Sequence, residues 1–180
     1  DRLGIVTTAV EHHAVLETAE ALGRTDHPLT VVGVDSYARV DTDALDVAVG
    51  SGTAIVSVMH ANNETGTIQP IREAASLAHA RGALFHTDAV QTVGKAPVDV
   101  KALGVDLLSL SAHKFGGPKG GGALVIKHGT PRARFHHGGS HERNLRAGTE
   151  NVAGIVGMAR ALEVAHEDMD DCQRVTSKLA

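Results

Sequence analysis

Cysteine is almost missing from this 180-residue chain, which carries one, Cys172. A single thiol excludes an internal disulfide framework and a cysteine-based zinc cluster. It also fits a reducing, cytoplasmic setting. No apolar run approaches the ~20 residues of a membrane span, and residues 1–10 lack the charged start and long apolar stretch of a secretion signal. Charge of either sign is scarce in excess: 17 Lys and Arg stand against 21 Asp and Glu, a net charge of -4. A nucleic-acid partner, which selects for a basic face, is not expected on this balance. An initiator methionine is absent as well. The chain opens directly into Leu3-Gly4-Ile5-Val6-Thr7, a strand-like run, and residues 177–180 continue a helix-like pattern. Both ends are therefore expected to be cut points, with residues 1–180 a single domain of a longer protein.

What is present is ordinary for a globular domain with a proper core: 42% hydrophobic and 21% charged residues. Twelve histidines are many for this length, which raises a metal site as a question. His141-Glu142 opens like a zincin motif, but position 145 is Leu where a second His is required. A zinc hydrolase is thus an outside reading, and most of the histidines are expected on the solvated surface. The run Gly116-Gly117-Pro118-Lys119-Gly120 is not a nucleotide P-loop, because no Gly-Lys-Ser/Thr follows it. The lone Cys172 falls in a helical pattern and reads as packing or surface rather than as a nucleophile.

Strand-like and helix-like patterns alternate along the chain. Apolar spacing predicts helices over 14–23, over 45–49 with Asp41 as cap, over 70–81 with Pro70 in the first turn, and from 152 to past 169. Short β-branched runs predict strands over 29–34, 53–59, 83–86, 105–110 and 123–126. Such alternation favours an α/β domain whose mainly parallel sheet is flanked by helices on both faces. In these sheets ligands gather beyond the carboxyl ends of the strands. Asn62-Asn63, Asp88 to Gln91, and Ser111-Ala112-His113-Lys114 each fall just past a strand.

Those clusters hold a lysine and a carboxylate presented from neighbouring strand ends, as a pyridoxal phosphate (PLP) site requires. The aldehyde is held by the lysine as a Schiff base, and the carboxylate keeps the ring nitrogen protonated. Lys114 follows a buried-looking strand, and the glycines behind it let a bulky ligand approach the backbone. Asp88 suits the ring nitrogen, although a helix N-cap is an equally respectable role for it. Gln91, about one helical turn on, can donate to the ring's 3-oxygen. If the backbone is extended, Ser111 and His113 share one face and suit a phosphate. Residues 141–151 form a polar, cationic loop that is either solvated surface or a shaped loop for anions or another subunit.

Taken together, the motifs resemble the cysteine desulfurase family of fold-type-I PLP enzymes, in the class V aminotransferase superfamily. They are Val10-Glu11-His12-His13-Ala14-Val15-Leu16, Met59-His60-Ala61-Asn62-Asn63-Glu64-Thr65-Gly66, His86-Thr87-Asp88-Ala89-Val90-Gln91, Ser111-Ala112-His113-Lys114 and the segment 142–151, in family order. The resemblance implies the large cofactor domain of a fold-type-I transferase. Lys114 would carry the cofactor, Asp88 would pair with the pyridine nitrogen, and Gln91 with the ring hydroxyl. His12 would stack on the ring and serve as acid or base, and Asn63 would lie beside cofactor and substrate carboxylate. Ser111 and His113 would bind the phosphate, and Thr149 would reach the phosphate of the partner in a homodimer. L-Cysteine would be the substrate, alanine the product, and a sulfur-acceptor or scaffold protein of iron–sulfur cluster assembly the recipient. The family's upstream phosphate-binding turn would precede residue 1, and its persulfide-forming cysteine and carboxylate-binding arginine would follow residue 180. The piece alone is therefore expected to be inactive. Selenocysteine lyases and other class V lyases share these motifs, and a non-catalytic dimerisation module is a third reading.

Overall fold

The computed structural model describes residues 2–177. The Cys172 side chain and residues 178–180 lie outside the described residues, and with them the expectations for that thiol and for a helical end. Six strands form one sheet in the order β2-β1-β3-β4-β5-β6. They are β1 (Gly4–Thr8), β2 (Leu29–Val32), β3 (Thr53–Ser57), β4 (Leu84–Asp88), β5 (Leu107–Ser111) and β6 (Gly122–Ile126). The first five run parallel and β6 returns antiparallel on β5. Between them come α1 (His13–Gly23), α2 (Thr42–Ala48), α3 (Ile71–Ala80) and α4 (Val100–Leu103), and α5 (Val152–Glu167) and α6 (Met169–Thr176) follow the sheet.

Local chemistry explains most of these boundaries. Asp41 caps α2, accepting from the Asp43 and Ala44 N–H groups at 3.0 and 3.1 Å. Pro70 precedes the first turn of α3, and Gly82, at φ 71°, allows the left-handed exit behind it. The short α4 has no long apolar period to announce it. Its signals are Asp99, which accepts from the Lys101 and Ala102 N–H groups, and Gly104 at the carboxyl end. The single long helix expected from residue 152 is instead two, broken at Asp168. Asp168, Asp170 and Asp171 oppose the dipole at a helix carboxyl end and suit an amino end, so a fresh start is favoured there.

The hand of the crossovers sets the layers. From β1 the chain moves one way to β2, then the other way to β3, β4 and β5. Right-handed connections therefore put α1 on one face and α2, α3 and α4 on the other. The α2–α3 face carries the main core, where Val6, Val56, Phe85 and Leu108 meet Leu45, Ile71, Ala74 and Ala78. The α1 face is covered at its β1–β2 end, while Ile55, Leu84 and Leu107 stay half-buried and Leu124 is 52% exposed. The expectation of a sheet covered on both sides thus holds fully for one face of the described chain.

A polar row crosses the α1 face. His86 lies between Ser57 and Ser109, with Nδ1 2.8 Å from one hydroxyl and Nε2 2.8 Å from the other. Burial pushes its pKa below the usual imidazole value, with the charge of Asp88 pulling the other way. His60, buried beside Thr92 at 2.9 Å, is lowered by burial too. These are not surface histidines. His79 is an exposed histidine, yet it reaches the buried Asp106 at 2.7 Å, which also accepts from Lys127 and the Phe85 N–H. An imidazole with a lowered folded pKa stabilises the fold above its unfolded value near 6.5, and that contribution is lost as pH falls. The stability margin of the wild type over His86→Gln is accordingly expected to shrink as pH falls below about 6.5 in urea titrations. A margin constant across that window would show that His86 does not titrate with unfolding.

Candidate active site

The chain leaves β1 toward β2 on one side, and β3 lies on the other, so a crevice opens past the carboxyl ends of these strands. Loops after β1, β3, β4 and β5 all empty into it, the place where open α/β sheets bind ligands. A cavity of about 350 Å³ occupies this crevice, lined by His12, Met59, Asn63, Asp88, Gln91, Ser111, His113 and Lys114, with Ala14 and Val90. Its size falls at the lower end of the ~300–1,000 Å³ typical of small-molecule sites. A shallower depression of about 420 Å³ at the opposite ends of β1–β3 offers Asp26 as its one ionisable side chain. Among the described residues, no three His, Cys, Asp or Glu side chains gather as a metal site.

Each side chain is delivered by identifiable local structure. His12 is the N-cap of α1, its Nδ1 accepting from the Ala14 N–H at 3.1 Å. In the neutral ring that bond leaves the proton on Nε2. Asn62 is structural: its amide donates to the Val10 carbonyl at 3.0 Å, and its oxygen accepts from the Glu64 and Thr65 N–H groups. Asn63, beside it, is left for the cavity. Asp88 ends β4 and is 8% exposed. One of its oxygens accepts from the Val90 N–H at 2.9 Å, so the carboxyl group is firmly aimed. No helix starts there, so Asp88 holds a turn rather than the helix N-terminus that is its alternative role, and it still lines the cavity. Gln91 stands in the following turn, where its oxygen accepts from Lys95 at 3.0 Å. That assignment leaves its NH₂ group to donate.

Ser111 and His113 do come together, with Oγ 2.9 Å from Nδ1, but not along an extended backbone. A 3₁₀ turn over Ala112–Phe115 follows β5 and brings them around one corner. The turn is imposed by anchors on both sides. Ala112 and Phe115 are buried, the Ala112 carbonyl accepts from Gly117, and the Ala112 N–H donates to Gly121. Lys114 rides on this turn, half-buried, with no hydrogen bond or ion pair among the described residues. Gly117 cannot be larger, since a Cβ there would lie 2.9 Å from the Ala112 carbonyl oxygen.

Thr149 is exposed and outside the cavity lining. The loop before it is strongly shaped: Glu142, Arg143 and Asn144 all have left-handed φ values of 45°, 55° and 66°. Arg134 ties it down through the Asn144 carbonyl and side chain. Glu11 is a residue of the site region that sequence reasoning gave no role. A glutamate before a helix is ordinarily solvated, whereas this one is 7% exposed.

A family profile described as Aminotransferase class-V matches residues 2–180. The chain belongs to that family. It is 54% identical over 173 residues to the cysteine desulfurase IscS of Dictyoglomus turgidum, covering 96% of this chain and 44% of that protein. It is 53% identical over 171 residues to a cysteine desulfurase of Sinorhizobium fredii, covering 94% and 44%. Among solved family structures, a NifS-like protein superposes with a TM-score of 0.91 at 46% identity, covering 94% of this chain and 47% of that one. A NifS-like protein from Rickettsia africae gives 0.85 at 31%, covering 93% and 46%. The chain thus spans less than half the length of the relatives it matches.

Proposed function

We propose that this chain is the cofactor-holding part of a PLP-dependent cysteine desulfurase. One observation carries the reading: a half-buried Lys114 amine, without a partner among the described residues, shares one small cavity with Asp88, Gln91, Ser111 and His113. The donor set fits PLP group by group. Lys114 is the amine for the aldehyde carbon, and Asp88 the carboxylate for the ring nitrogen. The free NH₂ of Gln91 suits the ring's 3-oxygen. The Ser111 hydroxyl and His113 imidazole suit phosphate oxygens. Bound there, the cofactor supplies an electron sink for charge developing on the substrate carbon.

The chain's own groups do the rest. Asp88, clamped by the Val90 N–H, holds a proton at the ring-nitrogen position. His12 lines the cavity with its Nδ1 engaged by the Ala14 N–H, which leaves Nε2 to give a proton and take it back. Asn63 orients the substrate carboxylate. L-Cysteine is the proposed substrate, a homodimer the proposed assembly with Thr149 serving the partner's site, and a sulfur-acceptor protein the recipient. The names of the relatives favour cysteine over selenocysteine.

The purified protein, mixed with PLP, is expected to show a visible absorbance band. Borohydride reduction followed by peptide mapping should place the reduced adduct on Lys114, and Lys114→Ala should lose both. A folded protein without the band, or with adducts scattered over surface lysines, would overturn the reading.

A further inference from the structure

Glu11 is buried, next in sequence to His12 and hydrogen-bonded to the backbone of Met59, two residues of the cavity lining, and it serves no step in the proposed chemistry. Its Oε1 accepts from the Met59 N–H at 2.7 Å and from the Thr8 hydroxyl at 2.8 Å. Its Oε2 is fully enclosed and has no hydrogen-bond partner among the described residues. The carboxyl group therefore bolts the turn between β1 and α1, which carries His12, to the segment leaving β3, which carries Asn63. It does so with one oxygen only. A buried anionic oxygen with no donor is far more costly than a buried neutral hydroxyl.

The ionisable groups around it do not relieve that cost. Asp88, at the end of β4, acts on it as a like charge. His60, on the β3 exit, is committed to Thr92. His12 and His13, at the start of α1, are exposed, and Lys114 stands in the turn after β5. None of these forms an ion pair with Glu11 among the described residues.

We propose that Glu11 works as a neutral carboxylic acid, protonated on Oε2, positioning His12 and Asn63 while leaving Asp88 as the one carboxylate facing the cofactor. This rests on the PLP reading only for its last clause. Burial raises the Glu11 pKa to about 7, with the hydrogen bonds from Met59 and Thr8 lowering it and Asp88 raising it. The native state therefore binds a proton that the unfolded chain releases near 4.5, and stability is lost as pH rises from that value through 7.

Glu11→Gln, a neutral isostere, keeps the acceptor for Met59 and cannot ionise. Its melting temperature relative to wild type is expected to rise by about 5 °C between pH 5.5 and 8.5. Infrared difference spectra of the cofactor-free proteins should show a protonated-carboxyl band in wild type at pH 6 that Glu11→Gln lacks. At pH 7 Glu11→Gln should bind PLP within about threefold of wild type, and Glu11→Ala more than tenfold more weakly. A carboxylate band alone at pH 6, or a pH-independent melting difference, would overturn the neutral acid. Equal PLP affinities for Gln and Ala variants would overturn the positioning role. If no form bound PLP, the proposed function would fail, while the infrared and melting data would still decide the state of Glu11.

Discussion

Replacing Asp88 by Asn, in a form of the protein extended to the length of its relatives, is expected to lower turnover of L-cysteine by about 10²–10³-fold, the range seen when a preorganised polar group at a reacting centre is removed. The substitution isolates the charge. Asn retains an oxygen that can accept from the Val90 N–H, so the turn after β4 keeps its cap. It cannot hold a proton at the ring nitrogen, so the cofactor would bind as a poorer electron sink. Steady-state rates and the absorbance of the bound cofactor would check this together. Wild-type turnover by the Asn variant would mean that Asp88 is a cap and nothing more.

The second large effect is structural and lies one layer behind Lys114. Gly94 has φ 78°, and a Cβ there would stand 2.6 Å from Phe115 Cβ and 3.1 Å from Ala165 Cβ. Gly94→Ala combines a left-handed non-glycine residue, costing about 1–2 kcal/mol, with overpacking worth about 1–3 kcal/mol. A total loss of about 2–5 kcal/mol is expected from urea unfolding. Phe115 ends the 3₁₀ turn that carries Lys114, so the loss of stability should come with weaker cofactor retention. An alanine variant as stable as wild type would show that the turn and α5 yield without cost.

Much of this arrangement is legible in the chain itself. The parallel strands announce themselves as short, largely apolar runs rich in β-branched residues, as in Ala54-Ile55-Val56 within β3. The site residues are legible because they end such a run or follow it within a few residues, where the chain meets the crevice. Legibility fails where geometry is made by distant partners. Nothing around Ser111 signals a 3₁₀ turn rather than an extended exit, because the turn depends on Gly117, Gly121 and buried Phe115. Glu11 looks like a solvated residue until the β3 exit closes over it and lends it the Met59 N–H. The break at Asp168 hides in an apolar period that continues across it.

The return of β6 on β5 has a consequence for the order in which the domain assembles. Ser111 pairs with Gly122, so the loop bearing Lys114 is closed by residues near in sequence. Gly4 must find Thr53 across a far longer stretch of chain. Loop-closure entropy makes the longer search more costly by about 1.3 kcal/mol before any contact rewards it. The lysine hairpin can therefore form early and on its own, while the carboxylate and histidine side of the crevice waits for the distant strands to dock. A chain caught midway would present its reactive amine before the groups that give it purpose.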